Sequence, residues 1–195
     1  MTSIVVNYLH QKYSQNSDVG IAYVYFNYES KELDRHEHHL SSILKQLLEH
    51  RPALISDVMG RDDSLMDSQF PLDGIRLKQL LTSAMQSYSK IFIVLDALDE
   101  FYDLNYEEFQ NFLMVIFEFQ KQAPVKLFAT TRDIPEILSQ FKDVHVRKEI
   151  RAHDQDLCIY INTEIPKLSR FHLTPLSDAN KDMVREKIVD AVDGM

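Results

Sequence analysis

Short, uniformly apolar runs alternate along this chain with segments in which apolar residues recur at helical spacing. This alternation constrains the fold more than any other feature. Residues 21–28, 91–95 and 125–130 are dense in β-branched and aromatic side chains, which predicts buried strands. Apolar residues recur at helical spacing between them. Parallel strands need such crossover connections, so the sequence predicts a doubly wound, mostly parallel α/β sheet that is covered on both faces.

The helices are predicted from stripes of apolar residues at positions 4–9, 40–48, 77–88, 106–120 and 134–140. Residues 51–74 hold two prolines and five aspartates, which favours a long connection with one helical turn at most. A weaker fourth strand is predicted over residues 144–150.

The pattern changes to helices alone after Ile150. Asp154 and Ser177 are candidate N-caps of two amphipathic helices, the first of which includes Cys158. We therefore predict an α/β core over residues 1–150 and the start of a helical subdomain over residues 151–195.

Composition excludes several classes of protein. The chain has 21 Lys and Arg against 30 Asp and Glu, a formal charge of -9, and no basic block, so we expect no nucleic-acid binding. A single cysteine permits no internal disulfide. No apolar run approaches the roughly 20 residues that span a bilayer, and the N-terminus lacks signal-peptide features. We expect a soluble, cytoplasmic protein that does not bind membranes.

Carboxylates follow the strand at residues 91–95 directly. Asp96, Asp99 and Glu100 come at the carboxyl end of the strand, where ligands bind in open parallel sheets. Mg²⁺ prefers carboxylate oxygens, and an acidic residue one turn further on can orient a water that attacks a γ-phosphate. The pattern predicts Asp96 as the metal ligand and Asp99 or Glu100 as the residue that handles the water. The alternative is that the acidic stretch is only the first turn of the next helix.

The strand at residues 125–130 ends in the sequence Thr130-Thr131-Arg132, which places a hydroxyl and a guanidinium at the same edge. A guanidinium matches a pair of phosphate oxygens in geometry and charge. We therefore predict that Thr131 and Arg132 contact a nucleotide, with Arg132 sensing its γ-phosphate.

Residues 35–39, with the sequence RHEHH, are a second candidate site, in this case for a metal. Zinc ligands on a helix favour i, i+4 pairs with a distant third ligand, and no cysteine lies nearby. A solvated first helical turn is the favoured interpretation.

The segment KIFIVLDALDE, residues 90–100, resembles the Walker B segment of NACHT-type P-loop NTPases, in which an apolar strand is followed by Asp, a small residue, an apolar residue and Asp-Glu. YLHQKYSQNSDVGIAYVYFNY, LSSILKQLL and KLFATTRDIPEI resemble fungal NACHT modules, also described as nephrocystin-3-like N-terminal domains, of STAND-class signalling proteins. The resemblance covers essentially the whole chain. It implies Mg²⁺ with ATP or GTP, Asp96 as the Mg²⁺ ligand, Asp99 and Glu100 as the acidic pair, and Arg132 as the sensor.

The family also needs a G-x-x-x-x-G-K-[ST] loop, whose backbone N–H groups cradle the phosphates. None of the four glycines of this chain begins that pattern. TSIVVNYL resembles the helix that directly follows the loop. We therefore expect a P-loop fold without its first strand and loop, as a fragment truncated after the Walker A loop or as a naturally shortened paralogue.

Together these features predict part of a signalling switch. The full-length protein would exchange and slowly hydrolyse ATP or GTP and alter self-association or contacts with protein partners, whereas this chain would bind ATP poorly and hydrolyse it negligibly. The alternative is a non-enzymatic interaction or scaffold module. A third, weaker hypothesis is a metal-dependent hydrolase that uses the acidic trio alone.

Overall fold

The computed structural model of the chain describes most of its first 150 residues and a few later ones, namely residues 2–27, 35–55, 74–141, 146–150, 159–160, 162–164, 180, 183 and 187. The chain divides into two compact units, Met1–Lys142 and Asp143–Met195. The described part of the second unit is helical from residue 159 onward. In the described ranges, no helix is long and apolar enough to cross a membrane.

The first unit is built from alternating helices and strands. In chain order, its described elements are α1 (Thr2–Tyr13), β1 (Val19–Tyr25), α2 (His36–His50), α3 (Gly74–Gln86), β2 (Lys90–Asp96), α4 (Leu98–Leu104), α5 (Tyr106–Gln122), β3 (Val125–Ala129) and α6 (Pro135–Gln140). The strands form one sheet in the order β1-β2-β3, and both pairings are parallel. The predicted α/β class with a parallel sheet is confirmed.

One face of the sheet, which we call the broad face, carries the larger core. Ile91, Ile93 and Leu95 of β2 share this face, because alternate residues of a strand point the same way. Helices α2, α3 and α5 pack over it, and many of their apolar side chains are fully buried: Ile43, Leu47, Leu77, Leu81, Met85, Phe109 and Phe112. The apolar stripes that predicted these helices are therefore their buried faces.

Close packing on the broad face explains Gly20. A Cβ at this position would lie 2.8 Å from Leu47 Cδ2. Such an approach is far inside van der Waals contact, so a larger residue would force the Leu47 side chain to shift within the packed core.

His39 lies within the same core. Its ring contacts Phe26 and Phe101 at centroid distances of 4.8 Å each, and Phe112 at 5.9 Å. Burial lowers the pKa of His39 to about 4. The ring is therefore neutral at physiological pH and serves as a packing residue.

The other face, which we call the narrow face, is covered by α1. Val6 and Leu9 of this helix pack against Ile21 of β1 and Val94 of β2. The Tyr13 ring stacks on Phe92 at a centroid distance of 5.4 Å. Helices therefore lie on both faces of the sheet.

Two local features differ from the sequence-based expectations. The strand predicted over residues 144–150 is wrong for its described part, because residues 146–150 have no regular secondary structure and both Val146 and Ile150 are exposed. Helix α4 belongs to the alternative interpretation of the acidic stretch, and Asp99 and Glu100 do lie in its first turn. The roles of these residues in a site stay predictions.

Several predicted features lie outside the described residues. They include the connection over residues 56–73, the candidate caps Asp154 and Ser177, and Cys158. The domain boundary after residue 150 stays a prediction.

Candidate functional site

Asp96 is the last residue of β2, the central strand, and lies at the carboxyl edge of the sheet. Two hydroxyl groups donate to the same oxygen of its side chain: Thr130 Oγ1 lies 2.6 Å from Asp96 Oδ1, and Thr2 Oγ1 also donates to Oδ1. Thr130 directly follows β3, and Thr2 opens α1. Residues from three elements therefore meet at this carboxylate, and Asp96 Oδ2 takes part in neither bond.

Thr130 also holds the backbone that leaves β2. Its amide donates to the Leu95 carbonyl at 2.9 Å, and its hydroxyl accepts from the Ala97 amide at 3.0 Å. Its carbonyl accepts from the Leu98 amide at 3.0 Å. Thr130 thus extends the pairing of β3 with β2 and aligns the start of α4.

The turn between β2 and α4 is strained at Ala97. This residue has φ 57° and ψ 51°, a left-handed conformation that costs a non-glycine residue about 1–2 kcal/mol. The turn lets the chain pass from the strand into the helix within one residue. It brings Asp96 and Asp99 to the same edge of the sheet, and such strained backbone is typical of functional sites.

Asp99 is paired with Arg132. The Arg132 Nε lies 2.6 Å from Asp99 Oδ2, and the Arg132 amide donates to Asp99 Oδ1 at 3.2 Å. A second carboxylate, that of Asp103, accepts from Arg132 Nη2 at 2.6 Å. These contacts, with the Asp99 hydrogen bond first, raise the pKa of Arg132 above its usual value. Both oxygens of buried Asp99 are therefore engaged by one residue, and the carboxylates of Asp99 and Asp103 hold the Nε and Nη2 groups of Arg132.

Glu100 and Thr131 complete the predicted set. Glu100 is partly buried in the first turn of α4, where negative charge is favoured by the helix dipole. Thr131 Oγ1 is buried and has no hydrogen-bond partner within the described ranges. Because buried hydroxyls are normally paired, a polar group of a ligand would relieve this deficit.

The edge offers oxygen donors and one guanidinium. The carboxylates of Asp96 and Glu100 and the hydroxyls of Thr2 and Thr130 are hard donors of the type that Mg²⁺ prefers. Burial raises the pKa of the neighbouring Tyr25 hydroxyl, and the charge of Asp96 raises it further. In the chemistry of its oxygen donors, this edge suits a hard divalent cation at Asp96.

The structure brings the predicted residues together in two groups. Asp96 lies with Thr130, which the sequence places at this edge without a role of its own, and with Thr2, which the sequence does not place there. Asp99 lies with Arg132. The strand-end position of Thr130 was a usable signal. Thr2 had no such signal, since it lies 94 positions from Asp96.

Comparison with known proteins identifies the family to which most of the chain is similar. The family model described as Nephrocystin 3, N-terminal, matches residues 1–132. This range includes all five predicted site residues and ends at Arg132. No curated protein matches the chain.

Proposed function

The chain belongs to the nephrocystin 3 N-terminal family, and we propose that it is the Mg²⁺- and water-handling part of a nucleotide-dependent signalling switch of the NACHT-type P-loop class. The observation that carries the proposal is the convergence of the Thr2 and Thr130 hydroxyls on Asp96 at the carboxyl end of the central strand. Ligands of open parallel sheets bind at this edge. The proposed ligand is the Mg²⁺ complex of ATP or GTP.

Each residue of the edge has a separate proposed role. Asp96 holds the cation, and the Thr2 and Thr130 hydroxyls orient its carboxylate. A bound Mg²⁺ would neutralise charge on the phosphate oxygens. Glu100, rather than Asp99, accepts the proton of the attacking water, because both Asp99 oxygens are held by Arg132. Thr131 offers its buried hydroxyl to the nucleotide.

Arg132 gives the proposed switch two positions. In the present arrangement its guanidinium is held by Asp99 and Asp103. A γ-phosphate at the edge would compete for the same guanidinium, since Arg binds phosphate and carboxylate oxygens with similar geometry. Exchange of these partners would couple nucleotide binding to the position of α4, and hence to self-association or protein partners.

Affinity for Mg-ATP and Mg-GTP tests the proposal. A longer chain that includes a G-x-x-x-x-G-K-[ST] loop is expected to bind in the micromolar range, and the 195-residue chain far more weakly, because it lacks the cradle of amide groups. In the longer chain, Asp96→Asn should weaken binding by at least about tenfold, since it removes the metal ligand. Asp103→Asn is the contrasting variant. It removes an acidic group that has no proposed cation and frees Arg132 from one of its two carboxylates, so it should not weaken binding.

The proton-transfer role has its own readout. Glu100→Gln should lower hydrolysis by about 10²–10⁴-fold and leave nucleotide affinity within twofold, as expected for loss of a general base.

Equal nucleotide affinities of the Asp96→Asn and Asp103→Asn chains would contradict the proposal.

A non-enzymatic interaction or scaffold module is the second candidate. Two observations favour it: the phosphate-binding pattern is absent from the 195 residues, and Arg132 is paired with two carboxylates. This candidate predicts no effect of Asp96→Asn on any nucleotide affinity. Micromolar Mg-nucleotide binding that depends on Asp96 would exclude it.

A further inference from the structure

A mixed cluster of one histidine and two glutamates lies apart from the Asp96 edge. His36 and Glu37 open α2, and Glu108 lies in the first turn of α5. His36 Nδ1 and one carboxylate oxygen of each glutamate all lie within 4.8 Å of one another. The sequence alone favours a solvated helical turn here, because zinc ligands on a helix favour i, i+4 pairs with a distant third ligand and no cysteine lies nearby. The fold supplies that ligand as Glu108, which is 72 positions from His36.

The spacing of the donor atoms fits a small divalent cation. Tetrahedral Zn²⁺ with bonds of about 2.0–2.1 Å places its donors roughly 3.3 Å apart. His36 Nδ1 lies 3.6 Å from Glu37 Oε2 and 2.5 Å from Glu108 Oε2. The shorter separation is that of a hydrogen bond. A cation in place of the proton between His36 Nδ1 and Glu108 Oε2 would increase the distance between these two atoms by about 0.8 Å. Small rotations of these partly exposed side chains can accommodate the change.

One oxygen of the cluster points to a ligand independently of this spacing. Glu37 Oε2 is shielded from solvent and has no hydrogen-bond partner within the described ranges. Its charge is met by Arg35 Nε at 3.4 Å, but the Arg35 side chain is 72% exposed, and such surface pairs contribute little. A buried carboxylate oxygen without a hydrogen bond is costly, and a metal ion would satisfy it.

The surrounding backbone holds the donors in place. The His36 amide donates to Glu108 Oε2 at 2.7 Å, which joins the N-terminus of α2 to α5. The Asn105 side chain accepts from the Glu108 amide at 3.2 Å and caps α5. Capping of α2 by Glu108 explains these bonds, but it gives Glu37 Oε2 no hydrogen bond within the described ranges.

We propose that His36, Glu37 and Glu108 bind one Zn²⁺ ion that ties α2 to α5. A neutral imidazole and two carboxylates carry a charge of about −2, which matches a divalent cation. Imidazole with carboxylates suits Zn²⁺, whereas Mg²⁺ prefers oxygen donors alone. Three protein ligands leave a fourth position of the tetrahedron for water. The site is independent of the nucleotide proposal, since it shares no residue with it.

Zinc titration of the metal-free 195-residue chain tests the proposal. We expect one saturable Zn²⁺ per chain, with affinity unaffected by millimolar Mg²⁺, because hard cations compete poorly for an imidazole site. Glu37→Gln and Glu108→Gln should each weaken Zn²⁺ binding by at least about tenfold, because loss of a group that only supports a metal ligand already has an effect of this size. In Glu108→Gln the amide oxygen can still accept from the His36 amide, so the helix cap is retained.

His38→Gln is the matched control, because His38 is an exposed histidine on the same helix. Its Zn²⁺ affinity should stay within twofold of the unsubstituted chain. Thermal unfolding of each variant without metal checks that it folds. If only one of the two glutamate variants folds, its Zn²⁺ affinity alone is sufficient to test the proposal. Absence of a 1:1 site, unchanged affinity in a folded glutamate variant, or an equal loss in His38→Gln would overturn the proposal.

Discussion

The two faces of the sheet are covered in different ways. On the broad face, α2, α3 and α5 bury a continuous core in which many side chains are fully inaccessible. On the narrow face, only a small cluster around Val6, Leu9, Ile21 and Val94 holds α1. Yet α1 begins with Thr2, whose hydroxyl reaches Asp96. The difference suggests a division of roles, in which the broad face supplies stability and the narrow face positions the candidate site.

Truncation of one leucine on each face should give the largest contrast. Leu47→Ala on the broad face is expected to lower the free energy of unfolding by about 4–5 kcal/mol, because the fully buried site is enclosed by the core. Leu9→Ala on the narrow face is expected to cost about 2 kcal/mol, since fewer neighbours surround the cavity. Urea unfolding measures both values. Equal losses of unfolding free energy in the two variants would contradict the inference that the broad face contributes more stability than the narrow face.

Alkaline pH should destabilise the broad face through Tyr88. Its hydroxyl donates to the Leu47 carbonyl at 2.6 Å, and burial raises its pKa to about 12. The unfolded pKa is about 10, so the stabilisation is fully present below pH 10 and is lost as pH rises towards 12. The shift corresponds to roughly 2–3 kcal/mol.

The pH dependence is measured as the free energy of unfolding between pH 8 and 12. Tyr88→Phe should flatten the decline, because the titrating hydroxyl is gone. Tyr13→Phe, the matched variant on the narrow face, should keep the decline of the unsubstituted chain. Identical pH profiles for the two variants would show that Tyr88 does not distinguish the faces.

The smallest expected effect is on the narrow face itself. Tyr13→Leu removes the ring that stacks on Phe92 and should cost about 1 kcal/mol, as for other aromatic pairs. Tyr8→Leu is the control, since Tyr8 lies on the same helix but is exposed. Urea unfolding reports both changes. A loss as large as that of Leu47→Ala would mean that α1 contributes to stability as much as the broad face does.

Much of the fold could be predicted from local patterns. The apolar stripes of α2, α3 and α5 and the apolar run of β2 are the residues that the structure buries. Helix α4 is harder to predict, because it has seven residues and its N-cap position is Ala97, whose side chain cannot cap a helix. The strand predicted over residues 144–150 failed in its described part. Alternation of apolar and charged residues does not make a strand where no neighbour pairs with it.

The candidate site could be predicted only in part. Asp96, Asp99 and Glu100 were identifiable because they lie together in one acidic run that follows the strand predicted over residues 91–95. The pairing of Asp99 with Arg132 was not, although both residues were chosen, because 33 positions separate them. Their proposed functional roles stay predictions.

Local sequence was sufficient for the α/β class, for the main helices and strands, and for the acidic edge after β2. The spacing of apolar residues and the polarity of strand ends depend on residues that are close together in the chain, so both can be read from one sequence. Tertiary structure alone decided that Thr2 donates to Asp96, that Arg132 is held by two carboxylates, and that Glu108 joins His36 and Glu37. These contacts depend on how the helices pack over a folded sheet, and no local pattern encodes which distant residues will meet.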